Sequence, residues 1–123
     1  MTARSDDSTK SGGWEIQLRK GCLELAVLAS LWKSKLYGLE ILRRLEDESG
    51  LMLSEGTVYP LLTRLRIDAL LESEWVESDG GHPRKYYRLT PAGRKRAIEM
   101  AQTWSRFSVA IGDLVSPLMR EGR

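Results

Sequence analysis

Cysteine and histidine occur once each in these 123 residues, as Cys22 and His82. A single cysteine cannot close an internal disulfide. One cysteine and one histidine, far apart in the chain, do not make a zinc cluster or a nucleophile–base pair. Long apolar runs are missing as well. The longest stretch, residues 23–32, is interrupted by Glu24 and Ser30 and falls short of the roughly 18 residues of a membrane span. Residues 1–13 lack the basic start and apolar middle of a secretory leader, so a cytoplasmic protein without membrane contact is expected. Clustered carboxylates occur at Glu46, Asp47 and Glu48, near the end of an expected helix, where they read as solvated. No paired acid and base, nucleophile or cofactor motif stands out, which argues against an enzyme and implies no cofactor.

What is present suits one soluble globular domain, with 41% hydrophobic and 29% charged residues. Residues 1–13 are polar and small and read as a disordered tail. From 14 to 32, Leu18, Cys22, Leu25, Leu28 and Trp32 recur at helical spacing, widened by Leu23, Ala26, Val27 and Leu31, so this helix is expected to be buried on most sides. A second helix is expected over 36–49, ended by Gly50. In a short third helix Ser54 is the expected N-cap, and Val58, Leu61, Leu62 and Leu65 make one core stripe. Pro60 fits only if the first turn is irregular or helical bonding starts near Thr57. The period then changes to two. Residues 71–77 and 84–89 read as strands around the turn-rich 78–83, which makes a hairpin. Thr90-Pro91 is a capping hydroxyl followed by a first-turn proline. The last helix is expected over 91–116, with Pro117 ending or bending it. Along it, Met100, Trp104, Phe107, Ile111, Leu114 and Leu118 are spaced near the coiled-coil period.

The resulting order is helix, helix, helix, hairpin, long helix. It is mainly α with a small β-hairpin (α+β), the order of a winged helix-turn-helix followed by a long C-terminal dimerisation helix. The link over 50–53 has the length of a DNA-binding turn. In that arrangement the third helix enters the major groove and the hairpin tip lies along the backbone or in the minor groove. Six basic residues, Arg84, Lys85, Arg88, Arg94, Lys95 and Arg96, follow His82 with no acidic residue among them. Such a run suits phosphate neutralisation. The third helix is nearly neutral, which favours reading by Tyr59, Thr63 and Arg64 while the wing supplies charge.

The run Ser54-Glu55-Gly56-Thr57-Val58-Tyr59-Pro60-Leu61-Leu62-Thr63-Arg64-Leu65 resembles the recognition helix of the PadR family of transcriptional regulators. Arg84-Lys85-Tyr86-Tyr87-Arg88-Leu89-Thr90-Pro91-Ala92-Gly93 resembles that family's wing and the start of its dimerisation helix. Gly38-Leu39-Glu40-Ile41 is similar to its second helix. The resemblance covers residues 21–114 and places the chain with the short members. It implies a homodimer that binds pseudo-palindromic double-stranded DNA, usually as a repressor. The division implied is a tail over 1–13, a DNA-binding domain over 14–90 and a dimerisation helix over 91–118. The implied DNA contacts are Ser54, Thr57, Tyr59, Pro60, Thr63 and Arg64 on the helix, with Arg84, Lys85 and Tyr86 on the wing. Leu18, Met100, Trp104, Phe107, Ile111 and Leu114 are the implied dimer contacts.

Trp104-Ser105-Arg106 also resembles a segment of multidrug-sensing members, in which a tryptophan stacks on flat aromatic ligands at the dimer interface. The corresponding lining here would be Gln17, Gly21, Glu24, Ala101, Trp104 and Ser108. Plainer readings stand beside these. Arg64 can pair with a nearby carboxylate, Trp104 can be dimer core, and Trp14, Trp32 and Trp75 are expected to pack. Cys22 reads as a small buried hydrophobe and His82 as an exposed turn residue. A winged-helix module for protein or RNA, without an operator, is the alternative function.

Overall fold

The computed structural model describes residues 3–49, 55–78 and 80–122, with side chains described from residue 12 to 46 in the first segment. Along the chain run α1 (Ala3–Ser30), β1 (Leu36–Tyr37), α2 (Gly38–Ser49), α3 (Glu55–Ile67), β2 (Leu71–Val76), β3 (Arg84–Leu89) and α4 (Pro91–Glu121). The expected Gly50 stop, the link over 50–53 and the Ser54 cap lie outside the described residues.

The core is one cluster to which every helix contributes. Leu23, Val27, Leu28 and Leu31 come from α1, Ile41, Leu42 and Leu45 from α2, and Val58, Leu62 and Leu65 from α3. Leu71, Tyr87, Leu89 and Ala97 close it from the sheet and from α4. The α1 side of this cluster differs from the sequence expectation. Leu18 and Trp32 are exposed, while the residues one step round the helix are buried. The helix is apolar on two faces, and only one of them meets the core. The other runs alongside α4.

Three boundaries also differ. Helix α1 starts at Ala3 rather than near Trp14. The expected tail contains no proline, and a glycine pair such as Gly12-Gly13 costs only about 1 kcal/mol per residue, too little to force a break. Leu36 and Tyr37 form a strand instead of the first turn of α2. They pair antiparallel with Tyr87 and Tyr86, so the hairpin becomes a three-stranded sheet of order β1-β3-β2. That pairing joins residues distant in sequence, and local periodicity carries no record of it. The chain then enters α2 through a partial capping box in which the Tyr37 amide donates to Glu40 Oε1 at 3.0 Å. The third difference is at Pro117, which stands inside α4. Its missing amide removes one ladder bond but does not end the helix, which closes at Gly122 with a bond to the Leu118 carbonyl. Pro60 is likewise interior to α3, which is helical from Glu55.

One joint holds α3, β2 and α4 together. Ala69 has φ of 63°, and its amide donates to Arg66 O while Leu70 N donates to Leu65 O at 2.9 Å. This pair of bonds is a Schellman motif built on alanine. Thr90 then fastens α4 to it. Its hydroxyl donates to the Ala69 carbonyl at 2.7 Å and accepts from Gly93 N at 2.9 Å. Its amide donates to the Leu70 carbonyl. A side chain at Gly93 would run into that same carbonyl oxygen, so glycine is required by the close approach.

Candidate nucleic-acid interface

Helix α3 turns about 100° per residue, which sorts its side chains into faces. Val58, Leu62 and Leu65 are buried. Gly56, Pro60, Thr63 and Ile67 fall opposite them and are all exposed. Tyr59 and Arg66 lie on one flank, Thr57 and Arg64 on the other. Of the sequence candidates, Pro60 and Thr63 therefore face straight out. Ile67, which sequence reasoning passed over, shares their stripe.

Two of the flank residues, Tyr59 and Arg64, are held by the body of the protein. The Tyr59 ring rests on Gly38, where a Cβ would come within 2.8 Å of its hydroxyl oxygen. Partial burial, with the Glu55 carboxylate adding to it, raises the Tyr59 phenol above its ordinary value, so at neutral pH it is a hydrogen-bond donor. Arg64 points the other way. Its Nη2 lies 2.9 Å from Glu24 Oε1, and Arg96 Nε of α4 lies 3.2 Å from Glu24 Oε2. The pairing of Arg64 with a carboxylate is thus the arrangement in the structure.

The sheet presents two faces at the wing. On the outer face Arg88 is clamped by Glu74 at 3.0 Å and Glu72 at 3.3 Å, and Lys35 adds a 3.0 Å bond to Glu74. These cations hold the Glu74 carboxyl below its ordinary value, the Lys35 hydrogen bond most of all. Tyr37 and Tyr86 meet edge to face, with ring centroids 5.5 Å apart. The Arg84 guanidinium stacks on Tyr37 at 4.5 Å. On the inner face Lys85 sits 5.8 Å from the Trp75 ring centroid. Trp75 is 67% exposed and is not the packing residue expected.

The basic run over 84–96 is therefore divided. Arg88 and Arg96 are neutralised by acidic partners, and Arg94 covers Trp32 at 4.8 Å from its ring. Arg84 and Lys85 meet only aromatic rings among the described residues, so their charge remains available near the wing tip. In that tip Ser78 donates to the His82 carbonyl at 2.7 Å, and His82 is exposed.

The expected ligand-lining residues are not brought together as a set. Gly21 and Trp104 share a concavity of about 390 Å³ between α1 and α4, with Cys22, Leu25, Met100 and Phe107. Glu24 lines a different one, beside Thr57, Pro60 and Arg64. Ala101 borders a third, apolar groove with Leu25, Ala29 and Trp32. Gln17 and Ser108 line none of these. Among the expected dimer residues, Leu18, Trp104, Phe107, Ile111 and Leu114 are exposed in the single chain, while Met100 is half-buried against the core.

The residues that sequence reasoning missed are Glu24 as an ion-pair centre, Gly38 beneath Tyr59, and Ile67. A carboxylate within a strongly apolar stretch of α1 was the one available hint of the first. Among the described residues no group of His, Cys, Asp and Glu is placed to hold a metal, and no helix is long and apolar enough to cross a membrane.

Residues 27–99 match the transcriptional regulator PadR-like family. A transcriptional regulator of Mycobacterium tuberculosis is 35% identical over 83 residues, which span 68% of this chain and 76% of that protein. The crystal structure of a PadR-like transcriptional regulator from Bacillus cereus superposes with a TM-score of 0.74 at 33% identity, over 80% of this chain and 96% of that one. That of a PadR family transcriptional regulator from Eggerthella lenta gives 0.71 at 36% identity, over 89% and 90%.

Proposed function

The chain belongs to the PadR-like family of transcriptional regulators, DNA-binding proteins rather than enzymes, and from that premise we propose that it acts as a homodimeric repressor. Two copies bind a pseudo-palindromic duplex, and a small aromatic ligand releases them. The observation that carries this reading is the outer part of α4, where Trp104, Phe107 and Leu114 are 50%, 66% and 73% exposed. An apolar face of that length is unusual on a soluble monomer, and its spacing suits a second helix of the same kind. Trp14, Ile16 and Leu18 on α1 extend the exposed apolar surface.

On this reading residues 14–90 are the DNA-binding domain and α4 is the dimerisation helix. Pro60 and Thr63 meet base edges or the methyl groups of thymine, with Tyr59 donating from the flank. Arg84 and Lys85 hold phosphates, which sets register and supplies charge. Arg64 acts from behind the interface. The ligand occupies the concavity of Gly21 and Trp104, the indole giving a flat surface for stacking. Glu24 is taken up by two arginines and is left out of the ligand site on this reading.

Selection of bound duplexes from a random pool at moderate salt tests the proposal. A two-fold symmetric motif is expected, with two half-sites about one helical turn or a multiple of it apart. Binding that yields no motif and vanishes as salt rises would refute it. A reporter placed behind the recovered motif should then fall silent when the protein is supplied.

A further inference from the structure

Glu24 is the one carboxylate among the described residues that joins three helices. It sits on α1 with its side chain 19% exposed, Oε1 accepting from Arg64 of α3 and Oε2 from Arg96 of α4. Both contacts are charge-assisted, and the two arginines approach different oxygens, so neither displaces the other. Surface ion pairs between long side chains contribute little to stability as a rule. This one is largely covered on the carboxylate side and spans elements that the core joins only in part. Beyond Ala97, α4 has no fully buried residue among those described. Arg96 on Glu24 is therefore a fixed point between the emerging helix and α1, and Arg64 is the corresponding point on α3.

We infer that Glu24 is a positioning residue for DNA recognition: by holding Arg64 and Arg96 on its two oxygens it sets the angle of α3 relative to α4. The inference rests on the proposed operator-binding function and assigns Glu24 and Arg64 a role other than ligand or base contact. In a dimer joined through α4, that angle fixes how the outward stripe of Pro60 and Thr63 meets each half-site. A loss of the tie loosens the angle without removing a single DNA contact. Specific binding, which needs two helices seated at once, suffers. Non-specific binding, which depends on charge, does not.

The test uses full-length protein, the symmetric duplex recovered by selection and an unrelated duplex of equal length, each titrated over a salt series. Failure of the wild-type chain to select any duplex would count against the proposed function itself, not against the tie. The variants are Glu24→Gln, Arg64→Ala, their combination and Arg96→Ala. The Gln amide accepts on one side only and turns a donor toward the other arginine, so one arm must break.

For Glu24→Gln, specific affinity is expected to fall about tenfold while non-specific affinity holds. Combining it with Arg64→Ala is expected to cost less than the sum of the two single losses, because both substitutions act on the same tie. The dependence of log affinity on log salt is expected to be unchanged by Arg64→Ala. Unaltered selectivity in Glu24→Gln overturns the inference. So does a salt slope reduced by about 1 in Arg64→Ala, which marks Arg64 as a phosphate ligand. If Glu24→Gln does not fold, the exposed Arg96→Ala decides: reduced selectivity supports the tie and unchanged selectivity overturns it.

Discussion

The absence of a side chain at residue 38 leaves the space in which the Tyr59 ring lies. Gly38→Ala places a methyl group inside the space of the Tyr59 ring; Tyr59 is 37% exposed and its ring is expected to be pushed aside, at a cost of about 1 kcal/mol. Adding Tyr59→Ala should recover part of that loss, and a denaturation series on both variants checks it. Ala69 offers the reverse. It holds φ of 63°, a region that costs a residue with a Cβ about 1–2 kcal/mol. Ala69→Gly is therefore expected to stabilise by about 0.5–1 kcal/mol after the added freedom of the unfolded chain is deducted, visible as a rise in Tm. Tyr59 and Tyr87 give a pH signature. Burial raises both phenols; at Tyr87 nearby Arg66 opposes the shift and Tyr59 adds to it. The unfolded chain releases these protons at pH 10.0 while the folded chain still holds them. Stability from this source is intact below pH 10.0 and declines as pH climbs toward the folded values. Unfolding midpoints between pH 9 and 11 should fall less steeply in Tyr59→Phe.

At the scale of elements, one hydroxyl makes two of the bonds in the joint between α3 and α4. Thr90→Ala removes the helix cap and also the bond to the Ala69 carbonyl. A cap alone contributes about 1 kcal/mol, so a loss of about 1–2 kcal/mol is expected, with faster hydrogen exchange at Gly93. This element was legible in advance, since threonine followed by proline is a local signal. So were the strand Arg84–Leu89 and the core stripe of α3, because alternation and helical spacing are written in neighbouring residues. What escaped was non-local. The pairing of Leu36 and Tyr37 with β3 depends on Tyr87 and Tyr86, far along the chain. The partners of Arg88 and Arg96 come from Glu72, Glu74 and Glu24, so a run free of acids in sequence is not free of them in space. Pro117 does not end α4 for another reason: a proline removes one helical bond, and a helix of 31 residues has many others to carry it on. For the site itself, the helix and the wing could be found from spacing. Which side chains of the helix face outward needed the neighbours that cover its flanks.

For the molecule as a whole, the outer length of α4 is the surface on which the proposed assembly turns. Leu114→Asp is expected to leave the fold of residues 14–90 intact and to convert the proposed dimer into monomers, read by sedimentation; an unchanged mass would place the contact elsewhere. The joint at its root has a further consequence. Thr90 and Gly93 seat the first turn of α4 directly on the Ala69 and Leu70 carbonyls, leaving no slack segment between the wing and the helix. A helix of 31 residues is about 46 Å long at 1.5 Å per residue. Such a rod, clamped at one end, is a lever. A tilt of about ten degrees at the clamp displaces its far end by about 8 Å, and the converse holds when the far end is the fixed one. In the proposed dimer, a subtle repacking between two such rods would thus reach the proposed DNA face as a change in the distance between two reading heads.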